Sequence, residues 1–123
     1  MTKTYKISEI SQLTGLSSAT LRYYEDIKLL KPQRAENNYR VFTEDDLRWI
    51  EFIHRAKATG MTLAKIVEYS RLREMGDSTI TQRISLLSEQ EIVLREKIQE
   101  LDDHLDFISK KKQVYFEQLE KLK

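Results

Sequence analysis

Apolar positions recur every three to four residues along most of this chain, the period of α-helices that lie on a core. Ile7, Ile10 and Leu13 mark a short first helix over residues 8–14, with Ser8 as its N-cap and Gly15 ending it. A second short helix follows over 18–26, capped by Ser17, with Leu16, Leu21 and one of Tyr23 and Tyr24 facing inward. Two short helices joined by a glycine turn have the spacing of a helix-turn-helix. The period then breaks. Pro32 pushes Leu30 and Lys31 toward extended geometry. Asn37-Asn38 is a turn signal, because asparagine tolerates positive φ, and Tyr39-Arg40-Val41-Phe42 is β-prone. This stretch predicts a small two-stranded wing, with residues 30–32 pairing with 39–41.

Helical periodicity resumes at Thr43. Thr43 is placed as an N-cap with Asp46 three residues on, and Glu44, Asp45 and Asp46 load the positive end of the helix dipole. Leu47, Ile50 and Ile53 form its apolar line, and Gly60 ends it. Thr62 caps a fourth helix with Leu63, Ile66, Val67, Tyr69 and Leu72 inward, ending at Gly76. Thr79 and Gln82 read as the capping box of a last helix, and no glycine or proline interrupts residues 77–123. Its apolar residues follow a 4-3 rhythm through Ile80, Ile84, Leu87, Leu94, Ile98, Leu101, Leu105, Ile108, Tyr115, Leu119 and Leu122. Only Glu91 and Lys112 break the line. One helix of this extent is about 65 Å long and cannot bury such a seam by itself. Asp102-Asp103-His104 at its centre offers no turn residue, so the seam is expected to pair with a second copy.

The two polar seam positions argue for an orientation. In a parallel pair Glu91 faces Glu91 and Lys112 faces Lys112, two like-charge contacts in the seam. In an antiparallel pair whose facing residue numbers sum to about 206, Leu101 meets Leu105 and Ile98 meets Ile108. Glu91 and Lys112 of opposite chains then fall in adjacent layers. An antiparallel coiled-coil dimer is therefore expected, with Ile84, Leu87, Glu91, Leu94, Ile98, Leu101, Leu105, Ile108, Lys112, Tyr115 and Leu119 at the interface. A second apolar stripe, Leu86, Val93, Phe107 and Val114, lies off this seam and is expected to pack on the third and fourth helices of the same or the other chain.

Composition narrows the picture. With 3 Gly and 1 Pro in 123 residues, a turn-rich sandwich or barrel is excluded and the class is mostly α. The absence of cysteine removes disulfides, thiolate metal sites and thiol redox sensing. No apolar run is long enough to span a membrane, and the first twenty residues lack an apolar signal core, so a cytoplasmic protein is expected. The net charge of +1 is unevenly spread. Residues 1–42 carry seven basic and four acidic side chains, whereas residues 76–123 carry eight basic and ten acidic ones. A basic front suits a polyanion. The expected organisation is a head at 1–76 and a dimerisation helix at 77–123.

Enzyme chemistry has no support. His54 and His104 belong to no nucleophile or metal motif, no glycine-rich phosphate loop is present, and no cofactor is called for. The second helix is more informative. It opens on Ser17-Ser18-Ala19-Thr20, and hydroxyls beside the free N–H groups of a helix start suit phosphate oxygens. Arg22 follows one turn in, and an arginine there can grip guanine in the major groove. Tyr23 and Tyr24 point to different faces, so one fills the core and the other is left outside. An Arg-Tyr-Tyr run on this helix, followed by a basic wing, points to double-stranded DNA. A coiled-coil adaptor whose head binds protein is the reading in which Arg22 and Arg40 are plain surface charges.

Taken in order, Tyr5-Lys6-Ile7-Ser8-Glu9-Ile10, Thr14-Gly15-Leu16-Ser17, Thr20-Leu21-Arg22-Tyr23-Tyr24-Glu25, Asn37-Asn38-Tyr39-Arg40-Val41-Phe42 and Gly60-Met61-Thr62-Leu63 resemble the winged helix-turn-helix of MerR-family bacterial transcription regulators. The long last helix is similar to that family's antiparallel dimerisation helix. The resemblance implies a homodimer on a promoter whose spacer is too long, switched for RNA polymerase by bending and untwisting the DNA. It implies DNA contacts from Ser17, Ser18, Thr20, Arg22 and Tyr23 on the recognition helix, from Arg34, Tyr39 and Arg40 on the wing, and from Lys57 on the third helix. A DNA-bending architectural or recombination-accessory protein on the same winged helix is the alternative. Two departures stand out, since the family usually has glycine where Lys28 and Asn38 stand. Asn38 tolerates the same backbone, whereas Lys28 predicts a strained or different turn. Metal and redox members use cysteines and multidrug members add a ligand domain after the coil. The effector is therefore expected to be a small organic molecule read by the coil or its junction with the third and fourth helices, or to be absent. The candidate aromatics are Trp49, Tyr69, Phe107, Tyr115 and Phe116.

Overall fold

A computed structural model describes residues 3–123. The chain divides into two compact units, Met1–Leu86 and Leu87–Lys123. In the first, β1 (Thr4–Tyr5) leads into α1 (Ile7–Thr14) and α2 (Ser18–Asp26). The strands β2 (Gln33–Arg34) and β3 (Arg40–Thr43) follow, then α3 (Glu44–Ala58) and α4 (Leu63–Met75). A 3₁₀ turn, Asp77–Thr79, precedes α5 (Ile80–Lys121).

Local chemistry accounts for most of these boundaries. Ser17 Oγ accepts from the Thr20 N–H at 3.0 Å and so starts α2. Thr43 and Asp46 cap α3 reciprocally, with Asp46 N donating to Thr43 Oγ1 and Thr43 N donating to Asp46 Oδ2. Thr62 Oγ1 accepts from Lys65 N and starts α4. At α1 the cap position is Lys6 rather than Ser8, which lies inside the first turn. There the Glu9 carboxylate accepts from the Lys6 N–H at 2.9 Å, the half of a capping box that the N3 side chain supplies. Leu13 is exposed, so the inward line of α1 rests on Ile10 and the half-buried Ile7.

The wing is built differently from its sequence pattern. The sheet has three antiparallel strands in the order β1-β3-β2. Thr4 pairs with Thr43 and Tyr5 with Phe42, while Gln33 pairs with Val41 and Arg34 with Arg40. The pairing segment is thus 33–34 and not 30–32. Leu29 N and Leu30 N both donate to Tyr24 O and close the end of α2, and both side chains are buried in the core. Their hydrophobicity serves the core, which leaves the exposed Gln33 and Arg34 to make the strand. Tyr5 Oη donates to Glu44 Oε1 at 2.5 Å and fastens β1 to α3. That carboxylate, with burial second, holds the phenol above its ordinary range.

Two backbone expectations concern positive φ. Asn38 adopts φ 66° in the wing turn, where its N–H donates to Ala35 O. Lys28 adopts φ 65° just after α2, the left-handed conformation that glycine takes without cost. Its side chain is exposed. Lys28→Gly is therefore expected to stabilise the head by roughly 1 kcal/mol, seen as a rise in its melting temperature. An unchanged or lower value would show that the turn is not strained.

The core of this unit gathers Ile10, Leu21, Tyr24, Phe42, Trp49, Ile50, Ile53 and Ile66 beneath the sheet and helices. Trp49 Nε1 donates to Leu29 O at 2.8 Å and ties α3 to the exit of α2. Thr79 does not form a capping box with Gln82. Its hydroxyl donates to Leu72 O at 2.5 Å and lies 2.8 Å from Gly76 O, and it accepts from Arg83 Nε. The threonine is buried against the end of α4, so the first turns of α5 belong to the head.

The second unit is the remainder of α5. The whole helix has 42 residues and, at 1.5 Å each, runs about 63 Å. Ile98, Leu101, Leu105, Ile108, Tyr115 and Leu119 are all exposed on the single chain, Leu101 at 62%. Among the described residues no helix is long and apolar enough to cross a membrane.

Candidate nucleic-acid interface

The turn before α2 is set by hydrogen bonds that leave the helix start open. Gly15, at φ 77°, donates its N–H to Ser11 O, and Ser11 Oγ donates to Leu16 O at 2.6 Å. Ser17 is exposed at the cap, and Ser18 and Thr20 are half-buried in the first turn. The two tyrosines separate as adjacent residues on a helix must. Tyr24 is 2% exposed in the core and Tyr23 is 50% exposed. Arg22 is exposed, with no hydrogen bond or ion pair among the described residues.

A concave surface of about 570 Å³ opens between α2, the wing and the start of α1. Arg22, Arg34, Tyr39 and Arg40 line it together, and Lys6 and Ser8 complete the rim. Five of the site residues expected from sequence lie outside this concavity. Ser17, Ser18 and Thr20 sit at the other end of α2, Tyr23 lies beside them, and Lys57 projects from α3. Lys57 Nζ donates to Tyr24 Oη at 3.2 Å and lies 5.6 Å from that ring, so α3 places its cation beside α2.

Glu25 organises the basic residues of the wing. Its Oε1 accepts from Arg40 Nε at 3.0 Å and Nη2 at 2.9 Å, and from Arg34 Nη2 at 3.3 Å. Arg34 Nη1 also donates to Asn38 O. Charge-assisted bonds of this kind hold the wing against α2. They also commit part of each guanidinium, so Arg40 faces the concavity with fewer donors than Arg22. Neither Glu25 nor Lys6 stood out in the sequence. Glu25 is one of two adjacent acids, with Asp26, three residues after Arg22, and its partners come from β2 and β3.

In charge and shape the surface suits a polyanion: four basic side chains line it, with an exposed tyrosine at the wing tip, and the exposed Ser17 hydroxyl lies at the start of the same helix. No group of three or more His, Cys, Asp or Glu side chains that could hold a metal ion occurs among the described residues.

Comparison with known proteins agrees with this geometry. Residues 5–72 match the family described as MerR HTH family regulatory protein, and residues 47–110 match MerR, DNA binding. The HTH-type transcriptional regulator AdhR of Bacillus subtilis is 35% identical over 85 residues, 68% of this chain and 61% of that protein. An uncharacterized HTH-type transcriptional regulator of Haemophilus influenzae is 34% identical over 113 residues, 91% of this chain and 84% of its own length. Among solved structures, HiNmlR, a MerR family regulator lacking the sensor domain and bound to promoter DNA, superposes with a TM-score of 0.73. It is 35% identical, over 85% of this chain and 80% of that one. A MerR-family regulator of Listeria monocytogenes gives 0.79 at 34% identity, over 87% and 82%.

Proposed function

This chain belongs to the MerR family of helix-turn-helix DNA-binding transcription regulators, and we propose that it acts as a homodimer that reads a two-fold promoter site and switches it by deforming the DNA. One observation carries the reading: Arg22 on α2 and Arg34, Tyr39 and Arg40 on the wing converge on one basic concavity. A DNA groove and its phosphates fit such a surface, with α2 as the reading helix and the wing on the backbone. Ser17, Ser18 and Thr20 hold phosphate at the helix start, Tyr23 supports them, and Lys57 adds a phosphate contact from α3. The domain assignment is a DNA-binding head at residues 1–76 and a dimerisation helix at 77–123, whose first turns, up to Leu86, pack with the head.

The dimer follows from the exposed seam of α5. Ile84, Leu87, Leu94, Ile98, Leu101, Leu105, Ile108, Tyr115 and Leu119 bury one another in an antiparallel pair. Within one chain Glu91 lies 3.9 Å from Arg95, and the Lys112 ammonium lies 5.9 Å from the Phe116 ring. Both local contacts are exposed and worth little, so they yield to the interchain Glu91–Lys112 pair. The charge exchange tests it. Glu91→Lys and Lys112→Glu should each weaken the dimer, and the double change should restore it, as read by sedimentation equilibrium. A double variant no tighter than the singles would remove the pair.

Two dimer heads on one promoter offer a route to regulation without dissociation. A protein that stabilises a bent, untwisted spacer aligns the promoter elements for RNA polymerase, and one that stabilises the straight form keeps them apart. The relatives named above are transcriptional regulators, which favours this reading over an architectural one. The site of action is the bacterial cytoplasm, on nucleoid DNA, and the regulator answers to a small organic effector or acts without one.

Arg22→Ala is expected to lose roughly 1–3 kcal/mol of affinity for the specific site and much less for random DNA, the mark of a base contact. Lys57→Ala should weaken both alike and flatten the salt dependence. Equal losses on both DNAs for Arg22→Ala would reduce that arginine to a backbone contact.

A further inference from the structure

On the head, α3, α4 and the first turn of α5 border a second crevice, open to solvent and of about 240 Å³. It has room for a ring and a small charged group. Its floor is a slab of three aromatic rings. Trp49 and Phe52 stack with centroids 5.2 Å apart and planes 10° apart, and Phe52 stacks on Tyr69 at 5.0 Å and 22°. Its rim is cationic. The Arg73 guanidinium lies 4.5 Å from the centre of the Trp49 ring. Arg83 spends Nε on Thr79 Oγ1 and Nη2 on Gly76 O, which fixes the side chain and leaves Nη1. The remaining rim charges, Arg48 and Asp45, pair with each other. Among the described residues Arg73 meets no carboxylate, although the chain has 20 acids to 21 Lys and Arg.

A guanidinium held over an indole and left without an acid is a site for an anion, because the ring excludes water on one side and the donors stay unused. Aromatic rings that stack with one another also offer an edge against which a further ring can pack. We propose that this crevice binds a small organic anion, a planar ring bearing a carboxylate, and that this anion is the effector of the regulator. The carboxylate takes the free donors of Arg73 and Arg83, and the ring lies against Trp49, Phe52 and Tyr69. The Trp49 indole N–H also holds Leu29 O, directly after the strained Lys28 that ends the recognition helix. A ligand that shifts the indole is one hydrogen bond away from the end of α2. The effector role rests on the regulator reading above, whereas the binding does not.

Trp49 is the only tryptophan of the chain, so its emission reports the crevice directly. The experiment titrates the full chain with benzoate, with benzylamine as the same ring of opposite charge and sodium chloride as the ionic-strength control. The expected result is a saturable change with benzoate alone, weakened about tenfold or more in Arg73→Ala. Arg73→Lys, which keeps the charge and loses the fork, should fall between. Thermal melts of both variants establish that the head is folded. Equal responses to benzoate and benzylamine, no saturation, or full response in a folded Arg73→Ala would overturn the site. So would an emission that follows protein dilution and ignores benzoate, because a second copy's helix would then occupy the crevice. Saturating benzoate should also change affinity for promoter DNA about fivefold or more. Binding without that change would overturn the effector role, and a chain that binds benzoate but no DNA would fail the regulator reading alone.

Discussion

Leu101→Asp is expected to dissociate the dimer and to lower affinity for promoter DNA by about 10²- to 10⁴-fold. Leu101 lies near the middle of the exposed seam of α5 and is 62% exposed on the single chain, so a second chain has most of it left to bury. The substitution places a carboxylate in an apolar layer on each of two chains. A charge buried without a partner costs several kcal/mol, and here the cost is met twice per dimer. The DNA effect follows because two heads on one molecule bind their second half-site at a high effective concentration, which separate heads lose. Because Leu101 lies in the unit Leu87–Lys123, Trp49 in the head should keep its emission and its melting behaviour. Sedimentation equilibrium and a DNA titration check the two halves. A variant of unchanged mass would show that the seam does not hold two copies together. A monomer that binds promoter DNA as tightly as the parent would show that the dimer contributes nothing to recognition.

Phe42→Ala carries the largest expected loss of stability in the head. Phe42 is 1% exposed, stands on the central strand β3, and is paired across the sheet with Tyr5 of β1. Removing a fully buried phenylalanine costs about 3–5 kcal/mol, a large part of the 5–15 kcal/mol that holds a domain folded. At about 4–8 °C per kcal/mol for a domain of this size, the melting temperature should fall by well over 10 °C. Trp49 emission follows the head specifically, whereas helical circular dichroism is dominated by α5. DNA binding should fall in parallel, because β3 also carries Arg40, which Glu25 clasps to the recognition helix. A shift of only a few degrees would mean that the sheet is not joined to the core as described.

The boundaries written in local chemistry were legible without coordinates. Ser17, Thr43 and Thr62 cap their helices as their positions foretell, because a hydroxyl three residues before a free N–H needs nothing from elsewhere in the chain. Asn38 takes the positive φ that asparagine tolerates, and Lys28 takes it too, the strained one of the two outcomes its departure from glycine left open. What stayed hidden depends on partners far away in sequence. β1 is two residues long and has no period to detect, and only its pairing to β3 reveals it. Leu30 looked like a strand residue because it is apolar before a proline, yet it closes α2 and fills the core. Thr79 has the spacing of a capping box but turns its hydroxyl back to Leu72. In the candidate site, Arg22, Arg34, Tyr39 and Arg40 were each visible as basic or aromatic residues of a helix and a wing. Their convergence on one surface, and the Glu25 clasp that arranges it, are products of tertiary packing.

Footprinting of the purified chain on the DNA upstream of its own gene, at several salt concentrations, tests the account most directly. Two protected half-sites related by a two-fold axis within a promoter spacer are expected. Their affinity should fall steeply and linearly in the logarithm of salt, as counterion release from several phosphates requires. Protection without two-fold symmetry, or binding as tight to random DNA as to any selected site, would contradict a dimeric, sequence-reading regulator.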